Sequence, residues 1–338
     1  MRALLASLVT QNPDTAVETL QFSVFKSSIH QCYPRVTLIG YSVPMTSSND
    51  ASARAASPYR ATGTLKGRTL LMSGGSRGIG LAIALRAASD GANIVLMAKT
   101  GEPHPKLEGT VYTAAAQLEA AGGQALALVG DVRNDEDVAA AVAAAVERFG
   151  GIDAVVNNAS AIDLSRTDAV DMKRYDLMQD INVRGTFLLS KLALPALRET
   201  AHGQILTLSP PLNLDPKWAG RHLAYTMAKY GMSLTTLGLA EELKDDGVLV
   251  NSLWPCTLID TAAIRNMPGG DRIVQAARGP EIMADAAHAI LSGGVGAAGP
   301  LSGNFYTDEQ VLRAAGVSDF RPYSLGAPEE QLVPDIFL

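Results

Sequence analysis

Short apolar runs alternate with longer segments of helical periodicity over most of the chain. The runs consist mainly of Val, Ile, Leu, Ala and Met, and their length is that of buried strands. They predict strands at residues 70–73, 93–98, 125–129, 154–156, 204–208 and 248–253, with an edge strand at residues 304–307. Between these runs, apolar positions recur three and four residues apart, which predicts helices. The main helices are expected at residues 79–90, 110–121, 136–149, 185–198, 223–244 and 281–291.

The order of these elements predicts the fold class. Strands and helices alternate, and the strands are continuous apolar runs rather than alternations of apolar and polar positions. Both features are typical of a parallel sheet with helices on both faces. We therefore predict an α/β protein with a single doubly wound, seven-stranded, Rossmann-like sheet in residues 61–338. Residues 257–280 have little strand pattern, and we expect them to form a lid.

Composition and charge narrow the classes of partner. The 338 residues have a formal net charge of -6 and a pI of about 5.4, so no basic excess is available to neutralise a nucleic-acid backbone. No apolar run reaches the ~18 residues that a membrane span requires. Cys32 and Cys256 have the spacing neither of a disulfide framework nor of a zinc site. We therefore expect a reducing, cytoplasmic location.

The first sixty residues differ from the rest of the chain. Residues 46–64 are small, polar and turn-prone, as in a flexible linker. We predict that residues 1–60 are a flexible N-terminal extension, or that the start is assigned too early and Met45 is the true start. A third interpretation is an organellar transit peptide, because the stretch contains Arg, Ser and Ala.

A glycine-rich turn follows the first predicted strand. Residues 70–80 read LLMSGGSRGIG, and Gly74, Gly78 and Gly80 stand where the chain passes from strand to helix. Glycine at such a turn permits a sharp bend and lets the backbone approach a pyrophosphate closely. The free N–H groups and the positive end of the helix dipole then favour an anion. The turn therefore predicts a nucleotide site beyond the carboxyl ends of the strands.

Tyr225 and Lys229 are four residues apart at the start of a long predicted helix, so they share one face of it. A free tyrosine has a pKa near 10. An ammonium group ~4 Å away, at an effective dielectric constant near 20, is worth roughly 4 kcal/mol and would lower that pKa. The phenol could then exchange a proton near neutral pH. The alternative is that the two residues are unrelated surface or core positions.

The motifs occur together and in one order. After GGSRGIG come Asp131-Val132, NNAS at residues 157–160, Asn182 in INVRG, YTMAK at residues 225–229 and NSLWP at residues 251–255. As a set, over roughly residues 65–310, they resemble the short-chain dehydrogenase/reductase family. Finer features, LSPPLNL at residues 208–214 and AYTMAKYGMS at residues 224–233, resemble its hydroxysteroid dehydrogenase-like branch. Members of that branch can have a C-terminal sterol-carrier domain, which we expect this chain to lack.

The resemblance implies a role for each matching residue. Tyr225 would donate or accept the proton, Lys229 would lower its pKa and hold the nicotinamide ribose, and Asn182 would support a proton-relay water. Asp131 would contact the adenine, and the backbone of residues 157–159 would line the cofactor. The cofactor-binding residues implied in this way are Gly74, Ser76, Arg77, Gly78, Ile79, Gly80, Lys99, Asp131, Val132, Asn158, Ala159, Tyr225, Lys229 and Pro255.

Two positions depart from the family pattern. The family has a serine about thirteen residues before the tyrosine, to polarise the substrate carbonyl, but Leu212 occupies that position here. We expect Ser209 to fill the catalytic role through a longer loop; the alternatives are Asn213 or no serine at all. The family's Pro-Gly after the sixth strand is Pro255-Cys256 here. We expect Cys256 to be a packing residue, with a redox-active thiol as the alternative.

Charge favours one nicotinamide cofactor over the other. An enzyme that prefers NAD often places an acid at the end of the second strand, against the ribose 2′-hydroxyl. Here that region reads Met97-Ala98-Lys99-Thr100, and Arg77 lies within the glycine turn. Two cations near the 2′ position would suit a phosphate. We therefore predict NADP(H), and NAD(H) is the alternative if Lys99 is simply solvated.

Together these features predict a metal-free, NADP(H)-dependent oxidoreductase that interconverts a carbonyl and a secondary alcohol. Leu212, Leu214, Trp218 and Trp254 favour a hydrophobic small-molecule substrate. The alternative is a nicotinamide-nucleotide-binding sensor or scaffold with little turnover, which the departures from the family pattern motivate. The predicted helices at residues 185–198 and 223–244 resemble the family's four-helix interface. We therefore expect a homodimer or homotetramer.

Overall fold

A computed structural model describes residues 57–103, 108–266, 269–294 and 301–338, and within them seven parallel strands form one sheet. The strands are β1 (Thr69–Ser73), β2 (Asn93–Ala98), β3 (Gln124–Val129), β4 (Ala154–Asn157), β5 (Gln204–Thr207), β6 (Leu249–Trp254) and β7 (Phe305–Thr307). The order across the sheet is β3-β2-β1-β4-β5-β6-β7. Because β1 pairs with both β2 and β4, the direction of winding reverses between β1 and β4. A doubly wound sheet binds its ligand at this reversal, beyond the carboxyl ends of the strands.

Helices connect the strands and cover both faces of the sheet. A π-helical turn spans Gln179–Arg184, and short 3₁₀ turns follow at Arg321–Tyr323 and Glu329–Gln331. In chain order the helices are α1 (Gly78–Ala88), α2 (Val111–Ala120), α3 (Asp135–Phe149), α4 (Met172–Met178), α5 (Gly185–Arg198), α6 (Pro216–Arg221), α7 (Leu223–Glu242), α8 (Ala262–Arg265), α9 (Gly270–Gln275), α10 (Glu281–Leu291) and α11 (Asp308–Ala314).

Local chemistry sets the ends of these helices, as α3 illustrates. The side chain of Asn134 accepts hydrogen bonds from the backbone N–H groups of Glu136 and Asp137, and acidic residues fill the first turn. Gly150 ends the helix with a φ of 85°, a left-handed conformation that glycine adopts at low cost.

Alternate residues of each central strand enter two different cores. Leu70 and Met72 of β1 pack with residues of α1, α2 and α10, whereas Leu71 packs with residues of α3 and α5 on the opposite face. Because both faces are buried, no strand position of β1 is left for a polar, solvated side chain. This explains why the strands are continuous apolar runs.

The fold class predicted from the sequence is confirmed: the sheet is parallel, seven-stranded and covered on both faces. The structure adds short elements, namely the π-helical turn, α6 after β5, α11 after β7, and α8 and α9 within residues 257–280. Each has fewer than eight residues, which is too short to produce a readable periodicity. The role of residues 257–280 as a lid stays a prediction.

Residues 57–60 are the part of the predicted N-terminal extension that the structure describes; residues 1–56 lie outside the described residues. Ser57 Oγ donates to Asp285 Oδ2 at 2.5 Å, and Tyr59 Oη lies 3.0 Å from His288 Nδ1. Both partners belong to α10, and Tyr59 is buried. Among the described residues, none of the helices has the length and apolar character needed to cross a membrane.

Candidate active site

Hydrogen bonds join the carboxyl ends of β1 and β4 at the point where the winding reverses. Asn158 Nδ2 donates to the carbonyl oxygens of Ser73 and Gly74 at 3.1 and 2.8 Å. Ser73 Oγ in turn accepts from the backbone N–H groups of Asn158 and Ala159. The loop after β4 is therefore fixed against the glycine turn, as the predicted cofactor site requires.

The glycine turn has the geometry that close approach of a ligand requires. Gly74 and Gly78 have φ values of 75° and 56°, in the left-handed region. A Cβ at Gly80 would come within 2.5 Å of Asn158 Nδ2. Helix α1 begins at Gly78, and Arg77 at its N-cap makes no side-chain capping hydrogen bond. The N–H groups in the first turn of α1 therefore have no hydrogen bond from the side chain of the N-cap residue, and the turn fits a pyrophosphate.

A charged cluster lies at the ends of β2 and β3. Lys99 Nζ is 3.2 Å from Asp131 Oδ2, and Arg133 binds both oxygens of that carboxylate, with its Nε at 3.0 Å from each. The Arg133 hydrogen bonds, with a smaller contribution from Lys99 and against the effect of burial, hold the pKa of Asp131 well below its ordinary value. The three side chains, Lys99, Arg133 and Asp131, therefore have a net charge of +1.

Ser76, Arg77 and Ile79 belong to the glycine turn and the start of α1, whereas Val132 follows β3. Arg77 Nε and Nη2 donate to the carbonyl oxygens of residues 108 and 109 at 3.0 and 2.8 Å, which fixes the guanidinium beside the turn. Burial lowers the pKa of Arg77 from its ordinary value. Ser76 and Val132 are buried, and Ile79 is half-buried in α1.

Tyr225 and Lys229 lie one turn apart in α7, and both are buried. Tyr225 is 5% exposed and Lys229 is 2% exposed. Lys229 Nζ donates to the carbonyl oxygen of Leu208 at 2.6 Å, just past β5, and lies 4.9 Å from the ring centre of Trp254, at the end of β6. Helix α7 therefore holds the ammonium at the edge of the sheet where the glycine turn also lies.

The pKa values of Tyr225 and Lys229 differ from those that the sequence predicted. Burial raises the pKa of Tyr225, the charge of Asp335 raises it further, and a hydrogen bond with Ser160 lowers it. Burial lowers the pKa of Lys229 to about 7, against the effect of Asp335. The predicted lowering of the tyrosine pKa by Lys229 is therefore wrong for this arrangement. The reason is that both groups are removed from water and the lysine is directed to a backbone carbonyl.

Asn182 lies in the π-helical turn and is fully buried. Its Oδ1 accepts from the backbone N–H of Ala161 at 2.8 Å, and its Nδ2 donates to the carbonyl oxygen of Ala161 at 3.0 Å. Turns of this type are rare and occur often at functional sites. The two hydrogen bonds bring Asn182 to the loop after β4, beside the other predicted site residues.

Two serines lie near the end of β5 and the loop after β4. Ser209 is fully buried, and its Oγ is 2.8 Å from Ser252 Oγ, which donates to Thr236 Oγ1. The predicted role of Ser209 on the substrate oxygen stays a prediction. Ser160 is exposed, and its side chain lies close enough to the Tyr225 phenol to lower the pKa of that phenol. Sequence reasoning gave Ser160 no role, although it directly follows Ala159 in the NNAS motif.

The end of β6 contributes packing rather than reactive groups. Pro255 is buried, and burial, together with the charge of Asp308, raises the pKa of the Cys256 thiol to about 12. A thiol with such a pKa stays protonated and is a poor nucleophile. Asn213 Nδ2, the second candidate donor, is bonded to the carbonyl oxygen of Phe337 at 3.1 Å.

Residues 333–338 lie over the tyrosine, and no sequence pattern pointed to them. The Phe337 ring is fully buried and stacks on the Tyr225 ring, with centroids 6.2 Å apart and an interplanar angle of 27°. Phe337 has a φ of 75°, which costs a non-glycine residue roughly 1–2 kcal/mol. Burial of a phenylalanine side chain contributes roughly 2–3 kcal/mol and outweighs that cost. Burial also raises the pKa of nearby Asp335 to about 7.

Known proteins resemble this chain over the region that contains the site. Residues 68–268 match the family model described as short chain dehydrogenase. Over 277 residues the chain is 53% identical to hydroxysteroid dehydrogenase-like protein 2 of Xenopus laevis and 50% identical to that of Homo sapiens. Each alignment covers 82% of this chain and 65% of the relative. The chain therefore spans just under two thirds of the length of these relatives.

Solved structures show the same similarity. A short chain dehydrogenase from Mycobacterium thermoresistibile is 51% identical, with a TM-score of 0.75 over 81% of this chain and 96% of that one. A short-chain dehydrogenase/reductase variant from Serratia marcescens is 27% identical, with a TM-score of 0.61 over 72% of this chain and 96% of that one.

Proposed function

Because the chain belongs to the short-chain dehydrogenase family, on its hydroxysteroid dehydrogenase-like branch, we propose that it interconverts a carbonyl and a secondary alcohol with NADP(H). The observation that carries the proposal is the convergence of one chemical set at one edge of the sheet. Tyr225, Lys229 and Asn182 are buried there, next to a glycine turn that fits a pyrophosphate.

The residues that would hold the cofactor follow from this geometry. The glycine turn and the first turn of α1 would bind the pyrophosphate, and the backbone after β4 and the Lys229 ammonium would face the nicotinamide half. Asp131 and Val132 would lie on the adenine side. When bound, the nicotinamide supplies or accepts the hydride, and the protein supplies orientation and the proton.

The proton chemistry belongs to the chain itself. In the reductive direction Tyr225 donates its phenolic proton to the substrate oxygen, which becomes a hydroxyl as hydride reaches the carbon. Lys229, one helical turn from Tyr225, would return a proton to the tyrosine. Asn182 would hold a water on this route. Ser160, whose side chain lowers the pKa of the Tyr225 phenol, would be a second donor beside the substrate oxygen and would favour the negative charge that develops there.

The surroundings of Tyr225 support a hydrophobic substrate. One cluster of buried residues contains Tyr225 itself with Met178, Trp218, Trp254 and Phe337. Apolar side chains of this size exclude water and favour an apolar group next to the reacting carbonyl.

A Tyr225→Phe variant tests the proposal directly. General acid–base catalysis by one side chain is worth about 10²–10⁴-fold, so NADPH oxidation against a panel of hydrophobic ketones should fall by that factor. Binding of NADPH should be unchanged, because the phenyl ring remains. Tyr306→Phe, in edge strand β7, is the matched control and should keep full turnover.

A nucleotide-binding sensor is the second candidate, since Leu212 replaces the family's serine and the Ser209 hydroxyl is bonded to Ser252. Tight NADPH binding with no turnover of any ketone or alcohol by the unmodified protein would establish the sensor and reject the oxidoreductase. Turnover that survives in Tyr225→Phe would reject the proposed mechanism.

A further inference from the structure

Phe337 fills an aromatic enclosure above the tyrosine. Its ring centroid is 5.2 Å from that of Tyr230, 5.8 Å from Trp218 and His222, and 6.0 Å from Trp254. With the stacked Tyr225 ring, these side chains surround it, and none of its area is exposed. The enclosure is therefore an apolar space with the dimensions of a ring, and a side chain of the chain itself occupies it.

Backbone hydrogen bonds hold residues 333–338 in place. The N–H of Val333 donates to the carbonyl oxygen of Ala276, and Leu258 N–H donates to that of Val333. The N–H of Asp335 donates to the carbonyl oxygen of Cys256, and Trp254 Nε1 donates to the carbonyl oxygen of Ile336 at 3.0 Å. The segment is thus bonded to the end of β6 and to residues 257–280. It forms a fixed wall of the site in this structure.

This wall covers one face of the phenol ring. The ring face of Tyr225 is covered by Phe337, whereas the hydroxyl end lies beside Ser160, which is exposed. A small carbonyl compound can reach the hydroxyl along the Ser160 side. A compound with a fused-ring body needs the volume that the Phe337 ring occupies.

On the basis of the function proposed above, we propose that Phe337 is a specificity-determining residue of the substrate site. Its side chain fills the aromatic enclosure and sets the size of the apolar group that can lie next to the reacting carbonyl. Removal of the ring would open a space bounded by Trp218, Tyr225, Tyr230 and Trp254. Such a space suits a fused alicyclic ketone better than a short open-chain one.

The test compares two probe ketones, butanone and trans-decalone, with saturating NADPH. In Phe337→Ala the ratio of kcat/KM for decalone to that for butanone should rise at least about tenfold, mainly through a lower KM for decalone. Phe337→Leu should give a smaller rise and preserves more of the packing. Phe337→Trp should lower the ratio. Leu338→Ala, at an exposed neighbour, and Phe320→Ala, at a buried phenylalanine of another cluster, should leave it unchanged.

A binding measurement separates failure of this inference from failure of the proposed function. Trp218 and Trp254 are the two tryptophans of the chain, and both contact Phe337, so intrinsic fluorescence reports on the enclosure. With NADP⁺ present, Phe337→Ala should bind decalone at least about tenfold more tightly than the unmodified protein. An unchanged affinity, or an effect equal to that of Phe320→Ala, overturns the inference whether or not turnover is seen. Tighter binding without any turnover would support the role of Phe337 in substrate size selection and would reject the proposed oxidoreductase function.

Discussion

At the scale of single residues, Ser160 and Ser209 are the two candidates for the hydroxyl that assists the tyrosine. Ser209 is nearest to the family's position in sequence, but its Oγ is bonded to Ser252 in the interior. Ser160 is further away in sequence, but its side chain lies close enough to the Tyr225 phenol to lower the pKa of that phenol. The difference arises because the two serines follow different strands: Ser209 lies after β5 and is joined to Ser252 of β6, whereas Ser160 lies in the loop after β4.

Alanine variants of the two serines distinguish these roles. We expect Ser160→Ala to lower kcat about tenfold, since the loss of one hydrogen bond to the developing charge costs about 1.4 kcal/mol. Ser209→Ala should leave kcat within about twofold and lower the free energy of unfolding by about 1 kcal/mol, because Ser252 loses a buried partner. Steady-state kinetics and urea unfolding provide the two readouts. Undiminished turnover in Ser160→Ala with a large loss in Ser209→Ala would assign the role to Ser209, as we predict from the sequence.

Cofactor preference is also decided by single side chains. Lys99 follows β2, where an acid would favour NAD, and its cluster with Arg133 and Asp131 retains one net positive charge. We expect the protein to bind NADPH more tightly than NADH. Lys99→Ala should weaken NADPH about tenfold and leave NADH almost unchanged, because a charge-assisted contact to the 2′-phosphate is lost. Titration of both nucleotides measures the ratio.

Lys66→Ala is the matched control for this variant. Lys66 is exposed and precedes β1, so it lies at the amino ends of the strands, opposite the nucleotide site. It should leave both affinities unchanged. Equal affinities for NADPH and NADH in the unmodified protein, with no change of their ratio in Lys99→Ala, would show that the pocket does not discriminate.

At the scale of elements, α5 and α7 expose several large apolar side chains. Large side chains on their outer faces are between 40% and 57% exposed, namely Phe187, Leu223, Met227, Leu234 and Leu237. The four on α7 are three, four or seven residues apart and therefore lie on one stripe of the helix. Such a patch is typical of an interface between copies, and we propose that the protein is a homodimer or homotetramer.

Substitution within this stripe tests the assembly. Leu234→Asp combined with Leu237→Asp should shift the mass measured by light scattering from an oligomer to a monomer, because two charges would be buried without partners. Met172→Asp is the control: Met172 is equally exposed, at the start of α4, and should not change the mass. A monomeric unmodified protein would contradict the proposal.

At the scale of the whole molecule, a buried ionic network joins parts of the chain that are far apart in sequence. Asp90, after α1, is bonded to His288 of α10 at 2.7 Å and accepts from the backbone N–H of Leu65 at 2.8 Å. Burial acts to raise the pKa of Asp90, but bonds from His288, Leu65 and Arg86 hold it well below its ordinary value. Burial lowers the pKa of His288, against the effect of Asp90.

Both shifts have the same sign for stability against pH. A depressed pKa means that the unfolded state binds protons more readily, so stability falls as the pH falls. The contribution of His288 is fully present above its ordinary pKa of about 6.5 and is lost below it, and that of Asp90 is lost below about pH 4. We expect the free energy of unfolding in urea to decline from pH 7 to pH 5 and again below pH 4.

Asp90→Asn should lower the free energy of unfolding at pH 7 by about 1–3 kcal/mol and flatten the decline below pH 4. Asp168→Asn, which removes an exposed partner of Arg166, should leave the pH profile unchanged. A profile in Asp90→Asn that is parallel to that of the unmodified protein would show that this network does not determine acid stability.

Local patterns alone determined the strands, the longer helices and the glycine turn. Apolar runs, helical periodicity, caps and left-handed glycines depend on residues that are close in sequence, so they can be read without the fold. Tyr225 and Lys229 could be paired for the same reason, because one turn of helix joins them. Parallel strands also bring their ends to one edge, which predicted that the glycine turn converges with Lys99, Asp131, Asn157, Ser209 and Pro255.

Only the tertiary structure decided what surrounds that pair. Whether Ser160 or Ser209 bonds near the phenol depends on the packing of β5 against β6 and α7, and the pKa of Tyr225 depends on water that is excluded by residues more than a hundred positions later. Phe337 has no local signal, since it lies in an irregular segment and its contacts are all long-range. A sequence pattern reports periodicity within a few turns, whereas burial and charge in this site are sums over distant segments.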